Sequence, residues 1–209
     1  MKFAAIIPIH NEWRFMPAVV GQLLKVCDEI VILHGKGSLS GNPTLRIPVP
    51  KGPWADPKNA MRISIVEGHW FDEAETRNVG MELLSERCDY VFIVDSDELF
   101  SDTALKLLVD TAVAKMPRAL AGGCHTYWKS PLYRIDPPER LIAPVLVKHD
   151  VRFKYLRQIE GDITVVPHYL FHHLSYVRND EEVQEKLQNF GHAKEVVPNW
   201  YDNVWKKWD

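Results

Sequence analysis

The sequence feature that most restricts the fold is Tyr90-Val91-Phe92-Ile93-Val94, an unbroken apolar run that ends abruptly in Asp95-Ser96-Asp97-Glu98. Alternating polar residues would mark a strand wet on one face. A continuous apolar run belongs to a strand covered on both faces, as in a parallel sheet between helical layers. The three carboxylates cannot follow it into that core, because an unpaired buried charge is costly. The strand must therefore deliver its acids to the rim of the sheet.

The surrounding chain supplies the partners such a sheet needs. Phe3 to Ile9 is another apolar run, and Glu29 to Leu33 and Arg62 to Val66 read as further strands. Between the first two, Phe15, Val19, Leu23 and Val26 recur at helical spacing, so Trp13 to Val26 is an expected crossover helix with Pro17 in its first turn. Gly35 to Pro57 is a long loop rich in glycine and proline. Asp72 and Glu75 form an expected capping box for a helix reaching about Glu86. Beyond the acids come a helix over Ser101 to Ala114 and strands over Leu120 to Trp128, Leu141 to Val147 and Val151 to Tyr155. Asn179 with Glu182 opens a helix that runs to Phe190 and stops at Gly191. Strand and helix alternate as in a doubly wound α/β domain, whose ligands lie beyond the carboxyl ends of the strands.

At 209 residues and 46% hydrophobic content the chain has material for one core and little more. It reads as a single domain: a nucleotide-binding half over 1–98, an acceptor side with a metal-ligand segment over 99–192, and a tail over 193–209. A net charge of −3 excludes the overall basic footprint of a protein that holds nucleic acid through its phosphates. Cys27, Cys88 and Cys124 lack CxxC spacing, so they read as core thiols in a reducing, cytoplasmic setting. The first apolar run is far shorter than the roughly 20 residues a membrane span needs, and no integral membrane segment is expected.

Carboxylates at a strand end are hard ligands suited to Mg²⁺ or Mn²⁺, with diphosphate oxygens and water completing the shell. A short D-x-D is also what a solvated loop after a strand looks like. Four motifs in one order extend the reading: Ile7-Pro8-Ile9-His10-Asn11-Glu12, Glu75-Thr76-Arg77-Asn78-Val79-Gly80, Asp95-Ser96-Asp97, and His173-Leu174-Ser175-Tyr176-Val177-Arg178 followed by Lys186 and His192. In these the chain resembles family 2-like glycosyltransferases of the A-type, Rossmann-like fold with a D-x-D motif.

The resemblance implies a metal-dependent, hexosyltransferase-like enzyme that draws on a nucleotide-diphosphate sugar. Pro8, His10, Asn11 and Glu12 would line the nucleoside pocket, with Ser96 beside them, and Arg77 would meet the base or a phosphate. Asp95 would hold the ribose or a metal-bound water, Asp97 would bind Mn²⁺ or Mg²⁺ directly, and His173 would be a further metal ligand. A UDP-sugar is the favoured donor, although His34-Gly35-Lys36-Gly37 stands where the family commonly carries acids.

An inverting outcome is expected, and it needs a carboxylate near the acceptor hydroxyl. Asp136 and Glu139, in a proline-rich segment, are the two base candidates, each more readily read as an ordinary loop acid. Trp54, Trp70, Tyr127 and Trp128 could stack on sugars or simply fill the core. A sugar-nucleotide-binding module without turnover and a nucleotidyltransferase are the competing readings. The acceptor is an unknown hydroxyl, and nucleic acid is not the expected one.

Overall fold

The computed structural model describes residues 1–37, 47–70, 72–85, 87–189 and 196–208. β1 (Phe3–Ile9), α1 (Met16–Leu23), β2 (Glu29–Gly35), β3 (Ile63–Gly68), α2 (Glu73–Leu83) and β4 (Tyr90–Ile93) build the first half. There follow β5 (Glu98–Phe100), α3 (Asp102–Lys115), β6 (Ala119–Trp128), β7 (Ser130–Arg134) and β8 (Ile142–Lys148). The small hairpin β9 (Phe153–Tyr155) and β10 (Gln158–Ile159), the long β11 (Ile163–Tyr176) and α4 (Asp180–Asn189) complete it. The expected helix ends at Glu86 and at Phe190-Gly191, together with His192, Asp209 and residues 38–46 of the long loop, lie outside the described residues.

One sheet carries the order β3-β2-β1-β4-β8-β6-β11-β5, with β7 paired to β6. Pairing fixes β1, β2, β3, β4, β6 and β11 in one direction and β8, β5 and β7 in the other, so the sheet is mostly parallel. The unbroken apolar runs fill both faces as their patterning requires. Ala5 and Ile7 of β1 pack with α1, with Leu105 and Leu108 of α3 and with Phe171. The alternate residues Ala4 and Ile6 pack with Ala74 and Met81 of α2 and with Phe153. Among the described residues no helix is long and apolar enough to cross a membrane.

The local signals hold where they are local. Asp72 accepts from the Glu75 amide at 2.8 Å, and Asn179 and Glu182 cap each other reciprocally, each bond 2.8 Å. α1 is shorter than its periodicity predicts because Trp13 leaves the helix. Its ring, 6% exposed, packs between His34 and Trp54 at 5.1 and 5.3 Å.

β11 is the main element the pattern conceals. Pro167 argues against a ladder strand, yet the strand absorbs it: Val165 pairs Ala121 and the next pairing is Tyr169 with Gly123, so the extra residues bulge out. The aromatic tail docks on this corner. Trp205 is fully buried against Trp128 and donates from Nε1 to Asp180 at 2.8 Å.

Candidate functional site

The sheet order reverses at β1, since β2 and β3 lie on one side and β4 on the other. Strand ends at such a switch point diverge and leave a crevice. A cleft of about 690 Å³ opens there, lined by Pro8 to Arg14 at and beyond the end of β1, by Leu33 and Gly35 of β2, and by Asp95, Ser96 and Asp97 after β4. Its size falls in the range of roughly 300–1,000 Å³ usual for cofactor and ligand sites. α4 supplies the facing wall through Glu182, Lys186 and Asn189.

The first acid, Asp95, is held by cations on both sides. Arg77 Nη2 donates to Oδ1 at 3.0 Å, and Arg157 Nη2 lies 2.8 Å from Oδ2. Burial alone would raise this carboxyl; the guanidiniums of Arg157 and Arg77 outweigh it and hold it well below the usual carboxylate range. Arg157 also donates to Glu98 Oε2 at 2.7 Å, and that same oxygen accepts from the Asp95 amide at 2.9 Å. Glu98, 4% exposed, is pushed upward by burial, with Arg157 opposing and Asp95 adding to the rise.

The motif Arg77-Asn78-Val79-Gly80 builds this network. Arg77 is 2% exposed and spans Asp95, Glu73 Oε2 at 2.9 Å and the Leu156 carbonyl at 3.3 Å. Asn78 exchanges two hydrogen bonds with the Phe153 backbone, 2.9 and 2.8 Å, and so pins the β9–β10 hairpin whose turn carries Arg157. Gly80 lets α2 lie close on the sheet: a Cβ there would stand 2.7 Å from Leu33 and 3.0 Å from Ile6. The family reading sends Arg77 to a base or phosphate. Here it lines the cleft while bonded to protein carboxylates.

Asp97 is different. It is 7% exposed, and among the described residues the nearest cationic groups stand off: His173 Nε2 at 3.7 Å from Oδ1 and Lys186 Nζ at 3.9 Å from Oδ2. The antiparallel pair β5–β11 creates this meeting by setting His173 opposite Glu98, and the Leu174 amide donates to the Asp97 carbonyl at 2.9 Å. Burial lowers the affinity of His173 for a proton, but Cys124, Asp97 and Glu98 outweigh it and raise the pKa to about 9. Burial pushes the Lys186 ammonium below its ordinary value, with Asp97 opposing.

Two ligands of one cation at bond lengths near 2.1 Å sit about 3 Å apart. The oxygen of Asp97 and the nitrogen of His173 therefore fit a shared Mn²⁺ or Mg²⁺ after a small movement. Both oxygens of Asp95 are already engaged, which suits it to an indirect role.

The remaining predicted residues divide. His10 Nδ1 is 3.2 Å from the Gly35 carbonyl, and Asn11 Oδ1 accepts from the Ile47 amide at 3.1 Å, so both shape the cleft wall. Glu12 is paired with Arg178 and lies 3.6 Å from Arg14, which reaches Glu182 of α4 at 3.3 Å. These ion pairs tie the turn after β1 to α4 across the opening. Asp136 and Glu139 are exposed and do not line the cleft. Glu139 Oε2 accepts from Thr126 Oγ1 at 2.8 Å, close to His173, whereas Asp136 precedes a cis proline.

Of the four aromatic residues, Trp70 lines the cleft. Trp54 packs on Trp13, Trp128 on Trp205, and the Tyr127 hydroxyl meets His172 Nδ1 at 2.8 Å. Arg157 and Glu98 are the residues of this network that sequence reasoning misses. Arg157 follows a three-residue strand and carries no periodic or motif signal. Glu98 reads as one more rim acid until its partner is seen.

No protein-family model and no curated protein matches the chain by sequence. Solved structures match it by shape. S. aureus TarS 1–349 superposes with TM-score 0.51 at 15% identity over 98% of this chain and 75% of that one. The same fragment in complex with UDP gives 0.55 at 12% identity over 99% and 74%. In complex with UDP-GlcNAc it gives 0.55 at 13% over 88% and 64%. The chain thus has a Rossmann-like fold of the A-type glycosyltransferase kind.

Proposed function

We propose that this protein is a glycosyltransferase: it takes a sugar from a nucleotide-diphosphate donor and passes it to a hydroxyl acceptor, with Mn²⁺ or Mg²⁺ held by Asp97 and His173. One observation carries the reading. A carboxylate and an imidazole from distant parts of the chain stand 3.7 Å apart beside a cleft of about 690 Å³ at the switch point of the sheet. The UDP and UDP-GlcNAc in the TarS complexes favour a UDP-sugar.

On this reading Pro8, His10, Asn11 and Glu12 flank the nucleoside, with Ser96 at the floor. Asp95, already oriented by Arg77 and Arg157, accepts from the ribose or from a metal-bound water. The cation at Asp97 and His173 neutralises charge on the departing diphosphate. Lys186 and Arg178 add positive charge from the facing wall. If the anomeric centre inverts, Glu139 is the better placed of the two base candidates, because it adjoins His173. Asp136 remains the second.

The test is thermal unfolding with UDP, Mn²⁺, both and neither. Both together should raise the midpoint, at 100 times the dissociation constant by about 2.7 kcal/mol of stability. Asp97→Asn should abolish the rise. Equal stabilisation by UDP without a cation, or an unchanged response in Asp97→Asn, removes the cation from this site.

A further inference from the structure

Beside His173 stands a second group of ligating atoms. Cys124, Glu139 and His173 each offer one atom, and the three lie within 4.8 Å of one another. Their meeting follows from the strand pairing. On the parallel neighbours β6 and β11, Phe171 stands opposite Cys124 and His173 opposite Thr126, so Cys124, Thr126 and His173 share one face of the sheet. Glu139 comes over that face from the proline-rich segment, held by the Thr126 hydroxyl at 2.8 Å.

His173 Nε2 lies 3.7 Å from Asp97, Nδ1 is fully buried without a hydrogen-bond partner of ordinary geometry among the described residues, and the Cys124 thiol stands close enough to the ring to raise its pKa. A buried ring nitrogen left this way costs stability unless something meets it. Cys124 is fully buried beside it, and Glu139 is exposed and offers the way in.

We propose that Cys124, Glu139 and His173 form a second cation site, distinct from the Asp97 carboxylate, that takes a borderline-soft divalent ion such as Zn²⁺. Thiolate, imidazole and carboxylate are the ligand types zinc uses, and three protein ligands with one open position is its common non-structural arrangement. Mg²⁺ does not select a thiolate. Zinc bonds of about 2.0–2.3 Å place ligands roughly 3.5 Å apart. At separations within 4.8 Å the three atoms lie at most about 1.3 Å wider than this, and the exposed Glu139 side chain can swing inward. Binding displaces the protons of the thiol and of the ring nitrogen to solvent. Because His173 is shared, an ion here withdraws the imidazole from the cation proposed at Asp97. The site itself does not depend on sugar transfer.

Co²⁺ titration of the full chain tests this by absorption. One equivalent should give the near-ultraviolet thiolate-to-cobalt charge-transfer band, and Zn²⁺ should bleach it. Cys124→Ser should lose the band, Glu139→Gln should keep it but bind about tenfold or more weakly, and Asp97→Asn should keep it unchanged. Glu139 is exposed, so its variant gives an answer even if Cys124→Ser folds poorly. Absence of the band overturns the proposal. So does a band that survives Cys124→Ser, which would move the metal to Cys27 or Cys88, or an affinity indifferent to Glu139→Gln. Failure of UDP binding with this band intact would count against the transferase reading alone.

Discussion

Asp95 and Asp97 stand two residues apart at the end of one strand and have opposite surroundings. Asp95 is in direct contact with two guanidiniums, at 3.0 and 2.8 Å. Among the described residues, Asp97 has cationic groups no closer than 3.7 and 3.9 Å. The first carboxylate is neutralised by the protein, and the second keeps room for a cation between itself and its neighbours. The Asp95-Ser96-Asp97 segment thus contains two unlike parts, an anchor that ties β4 to α2 and the β9–β10 hairpin, and a carboxylate that the proposed function makes the cation ligand.

The contrast is broken most severely at Arg157. Arg157→Ala leaves Asp95 short of a cation and removes from buried Glu98 the guanidinium that donates to it, and loss of one partner from such a buried group costs about 3–5 kcal/mol. Urea unfolding should show a midpoint shift of that size. A stability close to the parent's would mean that Asp95 is solvated and not anchored. Asp97→Asn should act on chemistry instead, lowering sugar transfer or donor hydrolysis about 10²–10³-fold while moving the unfolding midpoint far less than Arg157→Ala does. Should the two variants lose stability equally, the division of roles between the acids fails.

The smallest expected effect is in acid. Asp95 in the folded protein titrates below its unfolded value, about 3.9 for a free aspartate. Its contribution to stability is therefore complete above that value and is lost as pH falls through the folded one. Asp95→Asn lacks this loss, so its stability should decline less steeply than the parent's below about pH 4. Parallel acid limbs would show that the arginines do not favour the ionised form.

Much of this site could be read before any tertiary information. The apolar run ending at Val94 specifies where the acids emerge, because the cost of burying them is local. Asp72 with Glu75 and Asn179 with Glu182 specify helix starts, because a cap involves only residues three apart. Arg77 is legible as functional and yet not in its detail, since its partner could have been a ligand or a neighbour such as Glu73. Both Glu73 and Asp95 turn out to hold it. The strand that brings His173 to Asp97 is concealed by Pro167, and β5 by its brevity.

By itself, then, the sequence determines the buried strands, the doubly wound alternation and the delivery of acids to the sheet rim, all consequences of hydrophobic period and charge placement over a few residues. Only the tertiary structure decides that Arg157 reaches Glu98 across 59 positions and that β11 returns to lie against β5. Such pairings depend on the order in which strands assemble, and no local pattern encodes that order.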